Sequence, residues 1–202
     1  MKKFALLGCG GVVLVLIGLV VVVGIWVAGS YNGLVRSEEA VKSAWSQVEN
    51  VYQRRLDLIP NLVATVKGVA NFEKETYTAV TEARSRVGQI KVTPEMLNDP
   101  NAFAKFQKAQ GELGSAISRL LVVSENYPQL KANQNFLDLQ SQLEGTENRI
   151  AVERRNYNQV AQGYNTSIRS FPRNFVAGFF GFKAKAYFEA TEGAAKAPEV
   201  KF

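Results

Sequence analysis

The sequence predicts an all-α protein: a single N-terminal transmembrane helix, then an up-and-down helical bundle with a long first helix. Three observations carry this. Residues 4–29 contain no charged side chain and are dominated by Val, Leu, Ile and Gly. Across residues 34–87, Val41, Trp45, Val48, Tyr52, Leu56, Ile59, Val63, Val66, Ala70, Tyr77, Val80 and Val87 recur mostly at steps of three and four. That is the period of one helix face, and nothing alternates at the step of two that a strand needs. Two later segments repeat the pattern, divided by proline-bearing connectors.

As a helix, residues 4–29 would cover about 39 Å against a hydrocarbon core of about 30 Å, so they can span with tilt. Trp26 and Tyr31 fall where an interfacial aromatic belt belongs. The run is too long and unbroken for a cleaved secretory signal. Leu6-Leu7-Gly8-Cys9 hints at a lipoprotein signal, but the apolar run continues well past Cys9. The chain therefore divides into an anchor (1–30), a bundle (31–190) and an extended tail (191–202). Lys2 and Lys3 favour a cytoplasmic N-terminus with the bundle outside, although Arg36 and Lys42 nearly balance them.

The long first helix carries a stutter at Val48, Tyr52 and Leu56, followed by Pro60. A proline there removes a hydrogen bond and presses on the preceding turn, so a kink is expected, in preference to a break. Unbent, 34–87 would reach roughly 80 Å. Thr93-Pro94-Glu95 and Asp99-Pro100 are helix-start signals. The second helix carries Phe103, Phe106, Gln110, Leu113, Ile117 and Leu120 and stops before Tyr127-Pro128. The third carries Phe136, Leu139, Leu143, Thr146, Ile150, Glu153, Tyr157, Val160, Tyr164 and Ile168, ending at Phe171-Pro172. Residues 175–188 can form a fourth helix, interrupted by Gly178 and Gly181, that returns toward the membrane.

Several stretches together resemble the bacterial LemA family. They include Tyr31-Asn32-Gly33-Leu34-Val35, Trp45-Ser46-Gln47-Val48-Glu49 and Arg54-Arg55-Leu56-Asp57-Leu58-Ile59-Pro60-Asn61-Leu62-Val63. Ser124-Glu125-Asn126-Tyr127-Pro128-Gln129-Leu130-Lys131-Ala132-Asn133, Leu143-Glu144-Gly145-Thr146-Glu147-Asn148-Arg149-Ile150, Arg155-Asn156-Tyr157-Asn158 and Ala197-Pro198-Glu199-Val200-Lys201-Phe202 follow in order. The resemblance implies a single N-terminal membrane helix and a four-helix domain. It supplies no activity.

Composition narrows the chemistry further. The chain has no histidine and one cysteine, Cys9, in the apolar run. That removes imidazole bases, imidazole metal ligands, His-containing triads and disulfides. A net charge of +6, spread among mixed signs, suits mild attraction to anionic surfaces and no nucleic-acid partner. No catalytic residue, cofactor or metal site is expected.

Polar residues gather at two places: Glu49, Asn50, Arg54, Arg55 and Asp57 by the stutter, and Glu144, Glu147, Asn148, Arg149, Glu153, Arg154 and Arg155 on the third helix. Glu153 lies on the apolar seam and needs a partner, since an unpaired charge taken from water costs several kcal/mol. Arg54 or Arg55 is the expected one. Such a layer either fixes helix register or forms a polar pocket for a small anion or a peptide. A third cluster, Arg169, Phe171, Arg173, Phe175, Phe179, Phe180, Phe182, Lys183 and Lys185, mixes bases with aromatics and fits either a membrane surface or a subunit or core contact. Apolar residues off the seam (Val51, Leu58, Leu62, Val69, Val122, Leu137) suggest surface left for a homo-oligomer. The expected function is a scaffold or adaptor held by the lipid bilayer in the bacterial inner membrane, with its bundle on the periplasmic side. It would self-associate and recruit unidentified envelope proteins. The alternative is an envelope sensor or ligand-binding module that uses the Arg/Glu layer.

Overall fold

A computed structural model describes residues 2–69 and 72–189, and these contain helices, turns and irregular segments only. Helix α1 (Lys2–Lys67) runs unbroken through Pro60, so the alternative of a new helix starting there is excluded. The expected continuation to Val87 is not observed. α1 stops at Lys67, and a separate helix α2 (Lys74–Gly88) follows. The physical reason lies in the seam, which thins between Val66 and Tyr77 just where Gly68 supplies a stop signal. Phe72, buried in the turn, packs on Tyr127 with ring centroids 4.8 Å apart. Ala70, assigned to the seam, and the predicted tail 191–202 lie outside the described residues.

The remaining starts follow their caps. Thr93-Pro94-Glu95 opens a short 3-10 turn (Pro94–Asn98). The Asp99 carboxylate then accepts hydrogen bonds from the backbone N–H groups of Asn101 and Ala102 at 2.9 and 3.2 Å, starting α3 (Pro100–Ser124). After the one-turn α4 (Pro128–Lys131), Asn133 accepts from the Phe136 N–H at 3.1 Å and α5 (Gln134–Arg169) begins. α6 (Arg173–Phe180) is much shorter than the predicted helix over 175–188. It ends at Gly181, whose φ of +76° is a left-handed conformation that favours glycine, and residues 182–189 are extended.

The extra break changes the topology. α1 leaves the apolar span, α2 returns, α3 runs outward again, and α5 comes back along α1. α1 and α5 are antiparallel in a fixed register: Trp45 faces Tyr157 (5.5 Å between rings), and ten residues further along α1, Arg55 meets Glu147. Two cores are stacked along this pair. The one nearer the apolar span contains Leu34, Val41, Trp45, Phe103, Phe106, Tyr157, Ile168 and Phe188, with Trp45 touching the rings of Phe103, Phe106, Tyr157 and Phe188. The far one contains Ile59, Leu62, Val66, Val80, Leu113, Leu120, Leu130 and Phe136. Each has its own fourth layer: α2 and α4 at the far end, the extended segment after α6 at the near end. Leu62, expected as spare surface, is fully buried because α1, α2 and α3 close around it. Val122 and Leu137 do remain exposed.

Candidate functional site

Arg55 lies between the two cores. Its residue surface is 4% exposed, and its guanidinium donates to the Glu147 carboxylate and, at 3.4 Å, to the Gln110 backbone carbonyl. The Tyr52 ring lies 5.6 Å from the guanidinium carbon. Thr146, buried beside this pair, donates its hydroxyl to the Gln142 carbonyl at 2.7 Å, and the Gln110 side-chain oxygen is buried with no hydrogen-bond partner among the described residues. Burial pushes the Arg55 pKa down, but an arginine retains its charge across the working range.

The expected partner was Glu153, and this is corrected. The α1–α5 register places Glu153 at the level of Glu49, where it is half-buried and accepts from Asn156 Nδ2 at 3.1 Å. Arg54, Asp57, Glu144, Asn148, Arg149 and Arg155 are exposed, with Asp57 and Glu144 accepting from Gln53 and Gln140 on their own helices. Of the twelve polar residues grouped at these two places, the structure brings Arg55 and Glu147 together across helices. Arg154 points elsewhere: it covers the Phe188 ring at 4.6 Å and donates to the Glu189 carbonyl at 3.0 Å.

Because Glu147 is 62% exposed while Arg55 is not, the pair is asymmetric. Removing the carboxylate leaves a buried cation, whereas removing the cation leaves a carboxylate free to meet water. Glu147→Ala is expected to cost about 1–3 kcal/mol, and Arg55→Met, of similar volume, less than about 1 kcal/mol. Thermal melts of the two variants, followed by circular dichroism in detergent, give the order. The reverse order would show that the layer contributes through net ion-pair energy instead.

The third cluster also divides. Phe171, Phe175, Phe179, Arg169, Arg173 and Lys183 are exposed, Phe180 about half so, and Phe182 packs against the near core. Lys185 is not at the surface. Its ammonium donates to Glu38 at 2.6 Å and to Asn98 Oδ1 at 2.8 Å, 5.3 Å from the Tyr164 ring centroid. The cause is the extended strap formed by residues 182–189, which carries Lys185 inward.

The strap is held by a device that the sequence reading missed. Asn165 donates to the Lys185 carbonyl and accepts from its N–H, both at 2.8 Å. Asn158 does the same for Phe188, at 2.8 and 2.9 Å, and Gln107 for Glu189, at 2.8 and 3.2 Å. Tyr157 donates to the Ala186 carbonyl at 3.0 Å, and the Ala186 N–H reaches Leu97 O at 2.8 Å. Asn158 and Asn165, seven residues apart on α5, are about 10 Å apart along its axis, the length of three extended residues from 185 to 188. The visible signal was Tyr157-Asn158 and Tyr164-Asn165, one dipeptide repeated at heptad spacing.

Burial raises the phenol pKa values of Tyr52, Tyr157 and Tyr164. Below pH 10 the phenols are protonated in both folded and unfolded chains, so they contribute no pH dependence there. Above it the unfolded chain releases protons that the folded chain keeps, so stability falls as pH rises, by at most about 1.4 kcal/mol per pH unit for each phenol. Melting temperatures measured upward from pH 9 should decline beyond pH 10; a flat profile would contradict this burial.

Two open surface grooves flank these features. One is lined by Arg155, Asn158, Gln162, Arg169 and Tyr187, the other by Asn61, Thr65, Asp138 and Gln142. Among the described residues no three Cys, Asp or Glu side chains gather as a metal ligand set.

Magnetosome protein MamQ 2 of Paramagnetospirillum magneticum is 29% identical over 175 residues, covering 79% of this chain and 64% of that protein. MamQ of Magnetospirillum gryphiswaldense is 28% identical over 174 residues, covering 78% and 64%. Protein LemA of Metamycoplasma hominis is 27% identical over 164 residues, covering 81% and 71%. The chain thus spans a little under two-thirds of the length of the magnetosome relatives. The model of the LemA family matches residues 44–202, from just before Trp45 to the C-terminal residue, and this chain belongs to that family.

Proposed function

We propose that this protein is a membrane-anchored helical scaffold of the bacterial cell envelope, which associates with its own copies and offers its bundle surface to partner proteins. One observation carries the reading. α1 passes without interruption from an apolar stretch with exposed side chains, Leu14 to Ile25, into the bundle interior, where Leu34, Val41, Val48 and Val66 are fully buried. The helix that carries this stretch is long and apolar enough to cross a membrane. A helix shared between bilayer and core joins the two rigidly, as a display platform requires. The lack of histidine, which removes imidazole acid–base and nucleophile-activating chemistry, supports a non-catalytic reading.

The ligand-module alternative is less well supported, because protein groups already surround the Arg55 guanidinium and the two surface grooves are lined by other residues. Lys2 and Lys3 before the span support a bundle on the extracytoplasmic side of the inner membrane. Amine-reactive crosslinking in native membranes, combined with alkaline carbonate extraction, tests the reading. Expected are retention in the pellet and discrete oligomer bands that grow with dose. Release by carbonate would remove the anchor, and monomer at every dose would remove self-association. Protease added to spheroplasts should digest the bundle; complete protection would put it on the cytoplasmic side.

A further inference from the structure

α6 is apolar on two opposite sides, and only one is covered. Val176 and Ala177 face the core, and the Phe180 and Phe182 rings rest on Tyr31 of α1, with centroids 4.7 and 5.7 Å away. Phe175 and Phe179 lie on the other side, 66% and 85% exposed, and Phe171, in the turn just before the helix, is 81% exposed with its ring centroid 5.9 Å from that of Phe175. Three phenylalanine rings held in water forgo the stabilisation that burial gives them, so this face is built for contact with something apolar.

Its position identifies the contact. Tyr31 stands between Trp26 and Arg36, the first charged residue after Lys3, and so marks the end of the apolar span. α6 docks there through Phe180 on Tyr31, at the end of α1 that carries exposed apolar side chains. Around it lie Arg169, Arg173 and Lys183, all exposed, and residues 168–188 contain no acid. The fourth base, Lys185, is neutralised by Glu38. A second copy presenting the same face would bring these cations against their equivalents. An anionic lipid surface would complement them.

We propose that α6 and the turn before it form an interfacial element that inserts Phe171, Phe175 and Phe179 into the leaflet from which α1 emerges, with Arg169, Arg173 and Lys183 on anionic headgroups. The inference deepens the membrane-anchor reading and rests on it. Two attachments, one spanning and one lying flat, fix the bundle's orientation to the bilayer, which a single helix leaves free to rotate.

The test uses the full chain in a Cys9→Ser background, carrying a polarity-sensitive fluorophore at Val20→Cys, Phe179→Cys or Lys131→Cys. Each variant is reconstituted in phosphatidylcholine–phosphatidylglycerol vesicles that contain nitroxide lipids labelled near the headgroup or deep in the acyl chain. At position 179, blue-shifted emission that is lost mainly to the shallow nitroxide is expected. Position 20 should lose emission to the deep nitroxide, and position 131 only to aqueous iodide. Position 179 behaving like position 131 would overturn the proposal. So would shielding at 179 from both lipid nitroxide and iodide, which assigns the face to a protein contact. Position 20 insensitive to lipid nitroxides would overturn the anchor itself. Replacing Arg169, Arg173 and Lys183 with Gln should weaken shallow quenching at 179 in the anionic vesicles and leave it unchanged in phosphatidylcholine alone; equal quenching in the anionic vesicles would remove the headgroup contacts.

Discussion

Asn165→Ala is expected to lower the unfolding free energy by about 2–5 kcal/mol, a large share of the roughly 5–15 kcal/mol available to a domain. The magnitude follows from what the side chain satisfies. Asn165 is buried, and its amide pairs with both backbone groups of Lys185, donating to the carbonyl and accepting from the N–H. Alanine leaves two backbone polar groups inside the fold, each costing about 1–3 kcal/mol when unpaired. Asn165→Asp should not rescue it, since a carboxylate accepts from the N–H but presents a second acceptor to the carbonyl. Asn158 is only half-buried, so Asn158→Ala should cost less. Melts in detergent give the energies, and trypsin cleavage after Lys183 or Lys185 reports whether the strap has come away. An Asn165→Ala protein that melts with its parent and resists trypsin equally would refute the clamp.

Glu38→Ala should cost about 3–5 kcal/mol, and Lys185→Met distinctly less. The Lys185 side chain is 3% exposed and that of Glu38 25%. Removing the carboxylate abandons an ammonium inside the fold with Asn98 Oδ1 and the Tyr164 ring as its remaining partners among the described residues. Removing the ammonium leaves a carboxylate that can reach water, and methionine fills the space of the lysine stem. The double variant should lie near Lys185→Met alone, because the penalty of the first change exists only while the charge remains. Strictly additive losses would mean that the two side chains do not communicate. Both experiments probe the same structural decision, the return of the chain as an extended strap and not as a helix.

That decision was only faintly legible beforehand. The apolar run, the seam through Trp45 and Tyr52, the proline-marked connectors and the cap at Asp99 are local signals, and they gave α3 and α5 within a few residues and α1 as far as Lys67. The break after Lys67 was also present, as Gly68 and a gap in the seam, but was overridden by the periodicity resuming at Tyr77. That miss reversed the direction of the helices that follow and misassigned Leu62. The seam pattern points to Glu153 as the carboxylate needing a partner and leaves Arg54 and Arg55 open as that partner; the buried cation is Arg55, and it meets Glu147. Periodicity says which face a residue occupies; it does not say which turn of another helix lies opposite.

Local sequence chemistry thus determined the helical class, the apolar N-terminal helix and most of the residues that had to be buried, because hydrophobic period and capping act within a few turns of chain. Tertiary structure alone decided that Arg55 meets Glu147, that Lys185 turns inward to Glu38, and that Asn158, Asn165 and Gln107 grip residues 185, 188 and 189. Those pairings join groups far apart along the chain, and they depend on the α1–α5 register and on backbone groups that every sequence carries alike.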